Sequence, residues 1–330
     1  CYELSNYFKV GFWRYPMTDS AVFALVLGAP IRTLDPKDWP IEEPVWMHFD
    51  ALKNGVEADL MRLGVTAPVV ERLLANETRP RMRQINDGLL LILRGINLNL
   101  DQDPVDMISL RIWVRGQLII TVRRQPLASV QEVRQQVASG VGPKTVQGVL
   151  IGILAALADR VSSYIDGLTE RVDELEDSLD ATVGLNAVEI SDLRRQIASL
   201  RRFIAPQRDA LFELSRGKAS LLDGLEMDQV RDQADRFTRY VEDLDLIRER
   251  ASFVQEGLNH RLQEDQSKRT YALSMIAGLF LPATFITGVF GMNVGGLPGI
   301  DSPLGFYWVI GSTTLLSVSI LIWFQMRRWW

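Results

Sequence analysis

The chain has 330 residues, 47% of them hydrophobic, and a formal net charge of -5. That length suffices for one large domain or two ordinary ones. The mildly acidic balance, with no Lys/Arg-rich tract and no basic groove of interleaved aromatics, speaks against a nucleic-acid partner.

Cysteine occurs once, as Cys1, so there is neither an internal disulfide nor a thiolate metal site. That usage suits a reducing compartment. Residues 1–20 form an N-terminal segment without a cationic start followed by an apolar core, and no secretory leader is expected there. Residues 21–143 read as an α+β domain. Strands are predicted at Ala21–Leu27, Val45–Asp50, Leu89–Asn97, Met107–Arg115 and Gln117–Arg123. The last two, separated by Gly116, form a hairpin pattern rich in β-branched residues. Gly55–Leu63 and Ala67–Leu74 have helical spacing, and the proline-rich stretch 35–44 reads as a surface loop.

Residues 144–224 change character to a cytoplasmic helical pair. Thr145–Leu179 is apolar early, through Val149, Leu150, Ile153, Leu154 and Leu157, and acidic late, through Glu170, Asp173, Glu174, Glu176, Asp177 and Asp180. The second helix, Ala187–Leu214, carries Arg194, Arg195, Arg201 and Arg202. Antiparallel pairing of the two would set opposite charges side by side, each exposed pair contributing only ~0–1 kcal/mol. The acidic run reads as a solvated face rather than a cation-collecting surface.

Residues 225–270 form a stalk helix. Val230, Ala234, Phe237, Val241, Leu244, Ile247, Ala251, Val254, Leu258 and Leu262 recur in steps of three and four, the stripe of an amphipathic or coiled-coil helix. No proline interrupts it before the next element. The expectation is one helix of roughly 65 residues, about 100 Å long, that needs neighbours to bury its stripe. His48 in its strand and His260 on this helix, the only two histidines, are read as structural.

Two charge-free apolar runs follow, at 271–290 and 306–324, joined by the loop 291–305 and followed by the basic, aromatic tail 325–330. At about 1.5 Å per residue each run spans roughly 30 Å, a bilayer's hydrocarbon thickness. A buried hairpin in a soluble protein is the competing reading. Lys268 and Arg269 precede the first run, Arg327 and Arg328 follow the second, and the loop has no Lys or Arg. The positive-inside rule then puts both termini in the cytoplasm. Tyr307 and Trp308 at one end, and Trp323, Trp329 and Trp330 at the other, suit the interfacial aromatic belts.

The first run has a distinctive face. Thr270, Ser274, Ala277, Leu281, Thr284, Gly288 and Gly291 fall in alternating steps of four and three and are mostly small or hydroxyl-bearing. Close helix packing explains such a stripe, and so does a pore wall. Its end, Gly291-Met292-Asn293 between two spans, resembles the signature of the CorA-type divalent-cation transporters. An α+β domain, a long stalk helix running into the first span, this tripeptide, a second span and a basic tail match that family in order, over nearly the whole chain. The resemblance implies a homopentameric funnel whose first spans line one axial pore. Gly291, Met292 and Asn293 would form the outer filter, with Asn293 holding a hydrated cation through its water shell. Gly291 would allow a tight bend and Met292 would sit behind the filter. Thr284 would add a hydroxyl ring, and Leu273 and Leu281 apolar constrictions able to close by dewetting.

Magnesium-type members follow the filter with Met-Pro-Glu. Here the loop reads Val294-Gly295-Gly296-Leu297-Pro298-Gly299-Ile300-Asp301, which looks like the ZntB zinc branch of the family. That likeness implies transport of zinc, with cadmium, nickel and cobalt as related cargo, by proton-coupled uptake into a bacterial cell across its inner membrane. Efflux is the other direction considered for the branch. Ligand chemistry says only "hydrated divalent cation", since neither span offers His, Cys or carboxylate. Asp301 is the sole acid of the outer loop, either a cation-attracting ring or a helix cap. With no ionisable relay inside the spans, proton or cation sites fall to Glu256, Glu264 and Asp265 on the stalk. No Walker-type loop or catalytic constellation appears, so neither ATP drive, a bound cofactor nor an enzyme is expected. A magnesium, cobalt or nickel channel of the same fold is the alternative, and a membrane-anchored sensor or scaffold the alternative of another class.

Overall fold

Unbroken apolar strands ask for a sheet covered on both faces, and the computed structural model has one. It describes residues 20–28, 30–34, 39, 42–76, 78–180, 186–216, 222, 224–292, 294–299 and 302–326. The N-terminal segment through residue 19, much of the proline-rich loop, Asn293, Asp301 and tail residues 327–330 lie outside the described residues. The chain divides into two compact units, Cys1–Gln255 and Glu256–Trp330.

In the first unit the strands are β1 (Ala21–Val26), β2 (Arg32–Thr33), β3 (Val45–Asp50), β4 (Arg81–Ile85), β5 (Gly88–Gly95), β6 (Ile108–Arg115) and β7 (Leu118–Arg123). Among the described residues they form one sheet in the order β2-β1-β3-β7-β6-β5-β4. The β3–β7 pair is parallel, Met47 opposite Ile120, and the other neighbours are antiparallel. Helices α1 (Val56–Arg62) and α2 (Ala67–Leu74) cover one face, where Leu60, Val69 and Leu73 meet Met47, Phe49, Ile120 and Val122. Helices α3 (Ala128–Ala138), α4 (Val146–Asp180) and α5 (Ala187–Arg216) follow, with α4 lying by β3, β5 and β7 and α5 by β4 and β5. Gln207 Oε1 of α5 accepts the backbone N–H of Arg94 in β5 at 2.6 Å, tying that layer to the sheet.

The strands β2 and β4 and helix α3 were not visible in the sequence. The edge strand β4 reads Arg-Met-Arg-Gln-Ile and stays partly exposed, so it lacks the apolar run that betrays a covered strand. Its turn did carry a signal, Asn86-Asp87-Gly88, with Asn86 in the left-handed region at φ 53. The predicted charge match between the two long helices is also corrected. Among the described residues the ion pairs of α4's acidic end run to the next helix, α6 (Gly224–Phe290), instead of α5. Arg250 bonds Asp173 at 2.5 Å and Glu176 at 2.9 Å through Nε. Arg236 bonds Asp159 at 2.5 Å, and Arg201 of α5 makes a fork to Asp245 of α6 at 2.6 and 2.9 Å. The reason is burial. Val230, Phe237, Leu244, Ile247, Ala251 and Val254 are all buried, which turns this face of α6 inward and brings its arginines beside the carboxylates.

His48 lies in the other sheet face, fully buried beside Trp46. Its Nδ1 is 2.8 Å from Thr121 Oγ1, which also accepts Trp46 Nε1–H at 2.9 Å, and its ring stacks on Phe23 at 5.0 Å. Burial, reinforced by Arg123 and Arg134, lowers its pKa from 6.5 to about 3. The unfolded chain therefore binds a proton that the fold refuses between those values. Stability from this residue is complete above pH 6.5 and falls as pH drops toward about 3. The slope is at most about 1.4 kcal/mol per pH unit. Denaturant titrations across this range should show a flatter acid limb for His48→Gln than for the parent chain.

Candidate cation path

In the second unit, α6 continues to Phe290 and is followed by α7 (Gly305–Met326). Both are long and apolar enough to cross a membrane, and none of either helix's most apolar window is buried. Helix α4 meets the same length and composition test, but half of its window is buried in the first unit, which marks it as a core helix.

The two apolar helices address each other through one face each. On α6 the half-buried positions include Tyr271, Met275, Gly278, Pro282, Ile286 and Val289, again in steps of three and four. On α7 they are Gly305, Val309, Thr313, Ser317, Ile320 and Phe324. Gly278 sits against Phe324, whose ring lies 3.4 Å from where a Cβ would be. The small-residue stripe is thus not the hairpin's own contact. Thr270, Leu273, Ser274, Ala277, Leu281, Thr284 and Gly288 are all exposed, and most of them lie about 100° round α6 from the half-buried face. Thr287 turns its hydroxyl back to the carbonyls of Ala283 and Thr284, at 3.0 and 3.1 Å. Among the described residues, the hydroxyls of Thr270, Ser274 and Thr284 make no such bond, which leaves them available to a hydrated ion.

The turn after α6 differs from the expectation in one respect. Gly291 is outside the left-handed region, so a tight bend is not its reason. Its N–H bonds Thr287 O at 2.9 Å, and a Cβ there would meet that same oxygen at 3.0 Å. That close approach of a carbonyl favours glycine. The left-handed glycines come later, Gly296 at φ 98 and Gly299 at φ 84, and reverse the chain before Ser302. Met292 is half-exposed, at 50%. Asn293 and Asp301, the two loop residues assigned to the ion, are not among the described residues. An open cavity of about 960 Å³ is lined by Phe290, Gly291, Pro298, Ser302, Phe306 and Trp308, among others.

At the other end the stripe extends further than the sequence reading took it. Back from Thr270, the same steps of four and three reach Gln266, Gln263, Asn259 and Glu256, all exposed. Gln263, Gln266, Thr270 and Ser274 line one cleft of about 640 Å³ with Phe324. Periodicity alone marks these amides, although they stand in a stretch rich in charge. Glu256 shares the stripe. Glu264 and Asp265 do not, being turned from Thr270 by about 120° and 140° at 3.6 residues per turn. His260, read as structural, is 74% exposed in its side chain and sits beside Glu264. Among the described residues no three His, Cys, Asp or Glu side chains cluster tightly enough to hold a metal.

A family model described as CorA-like Mg2+ transporter protein matches residues 42–328. The divalent cation transporter CmaX of Pseudomonas aeruginosa is 36% identical over 291 residues, 87% of each chain. The zinc transport protein ZntB of Pectobacterium carotovorum is 32% identical over 289 residues, 87% of this chain and 88% of that one. The solved structure of full-length CmaX aligns with a TM-score of 0.81 at 33% identity, covering 94% of this chain and 97% of that one.

Gly291→Val should open the end of α6, since the opposing carbonyl is already held by the residue's own N–H, at a cost of about 1–3 kcal/mol. Gly295 has nothing within 4 Å of its missing Cβ, so Gly295→Ala should be neutral. Thermal melts of both variants in detergent, followed by circular dichroism, check the contrast.

Proposed function

The chain belongs to the CorA-like Mg2+ transporter family and is a divalent cation transporter, and on that premise we propose that it carries zinc through the axial pore of a homopentamer. The observation that carries this reading is the uncovered stripe of small and hydroxyl-bearing residues on the first span. A helix hairpin with that face left bare cannot enclose a path alone. Five copies bring five such faces to one axis, where they form a wall a hydrated ion can pass without losing its water. Divalent ions, magnesium above all, dehydrate reluctantly, so a wall of hydroxyl and amide groups suits a hydrate better than a tight ligand cage.

In this reading Thr284 provides a hydroxyl ring, Leu273 and Leu281 the narrow apolar levels, and Ala277 and Gly288 the room between them. Asn293, at the outer end, meets the ion through its hydration shell, with Asp301 drawing cations toward the mouth. Glu256 collects the ion at the inner end. Both termini face the cytoplasm of a bacterial cell, and the protein lies in the inner membrane. Uptake follows from energetics: a divalent ion moving toward a negative interior gains about 4.6 kcal/mol per 100 mV, so no further drive is needed. A proton can assist, through the acidic residues of the stalk.

The choice of zinc rests on the Gly295-Gly296-Leu297-Pro298-Gly299 loop and on likeness to a zinc transport protein. Liposomes loaded with a zinc-sensitive or a magnesium-sensitive dye test it. Zinc should enter readily and magnesium slowly; the opposite order assigns the pore to magnesium. Thr284→Val, which removes one hydroxyl and keeps the shape, should slow zinc entering several-fold. Leu315→Ala, on the exposed surface of α7, should leave the rate unchanged. Mass measurement of the purified assembly should give five copies.

A further inference from the structure

Four residues apart on α6, His260 Nε2 and Glu264 Oε1 lie 3.4 Å from each other. That is longer than a good N–H···O bond of about 2.7–3.2 Å. Burial does not force the two together either, since their side chains are 74% and 53% exposed. The separation does match another arrangement. Tetrahedral zinc with nitrogen and oxygen ligands at about 2.0–2.1 Å keeps neighbouring donors about 3.3–3.4 Å apart. Gln263, Ser267 and Lys268 complete the walls of an open cleft of about 550 Å³ around the pair. The one cation there, Lys268, has its Nζ 3.9 Å from Asp265 on another face of the helix.

We propose that His260 and Glu264 form a binding site for a borderline divalent transition metal, with zinc the ion that fits best. Water supplies the rest of the shell. Imidazole suits zinc, nickel and copper, whereas magnesium keeps to oxygen and to its own water. The site therefore discriminates in a way that the hydroxyl and amide stripe does not. With few protein donors it binds weakly and releases quickly, as a passing ion requires. His260 stands about 16 Å along the helix before Tyr271. Its position at the cytoplasmic mouth rests on the pore reading above; the metal binding does not.

Calorimetric titration of the full-length protein in detergent with zinc chloride tests the site. His260→Gln and Glu264→Gln should each weaken binding by more than the roughly tenfold that even an outer-sphere partner contributes. Asp232→Asn, at an exposed carboxylate far down the same helix, should leave it unchanged, and excess magnesium should not displace zinc. The site is overturned if the parent chain takes up no zinc, if both single variants bind as the parent does, or if magnesium competes equally. Zinc flux in liposomes of the same preparations separates the two ideas. Flux without His260-dependent binding sinks the site and leaves the pore standing; binding without flux does the reverse.

Discussion

A divalent ion cannot cross roughly 30 Å of hydrocarbon unless protein replaces the bulk water it leaves. Everything distinctive about the second unit answers that constraint. Its two apolar helices spend one face on each other, with Gly278 against Phe324, and leave a second face of α6 bare. That face holds hydroxyls, small side chains and two leucines where a lipid-facing surface would hold large apolar groups throughout. The bulky Phe280, Phe285 and Phe290 fall largely outside it. In the proposed pore, that surface is used where copies of it meet.

The first unit has a different task, and its chemistry shows it. Its titratable groups are organised for cohesion: His48 is kept neutral in the sheet, and arginines of α5 and α6 are matched to carboxylates. Arg250 has its pKa raised, first by Glu176 and then by Asp173. Asp245 has its pKa lowered by the guanidinium of Arg201. These contacts are partly exposed, so each contributes modestly. They reinforce the face of α6 that its buried Val, Ile and Leu residues already turn inward.

Much of this was legible in the residues. Continuous apolar runs located β1, β3, β5, β6 and β7 to within two residues, and the three-four stripe from Val230 to Val254 located the helix that buries it. What escaped had weak periodicity. β4 is charged and at a sheet edge, and β2 has only two residues. Sequence order misleads about the partner of the acidic helix end, because the buried face of α6, not adjacency along the chain, sets which arginines reach it. At the site, the stripe itself was legible, while the face that α7 covers was not, since it is apolar like its surroundings. The reason for Gly291 was hidden too: a close carbonyl leaves no mark in sequence. The exposure of His260 left no mark in sequence either.

The account stands or falls on whether the bare stripe of α6 faces the ion. Cys1 is the only native cysteine, so a Cys1→Ser background allows single thiols to be placed at will. Silver ions applied during zinc flux into liposomes should block Thr284→Cys and Gly288→Cys and spare Leu315→Cys on the outer surface of α7. Equal flux with and without silver at Thr284→Cys and Gly288→Cys, in protein shown to be labelled, would place the path elsewhere and contradict the account.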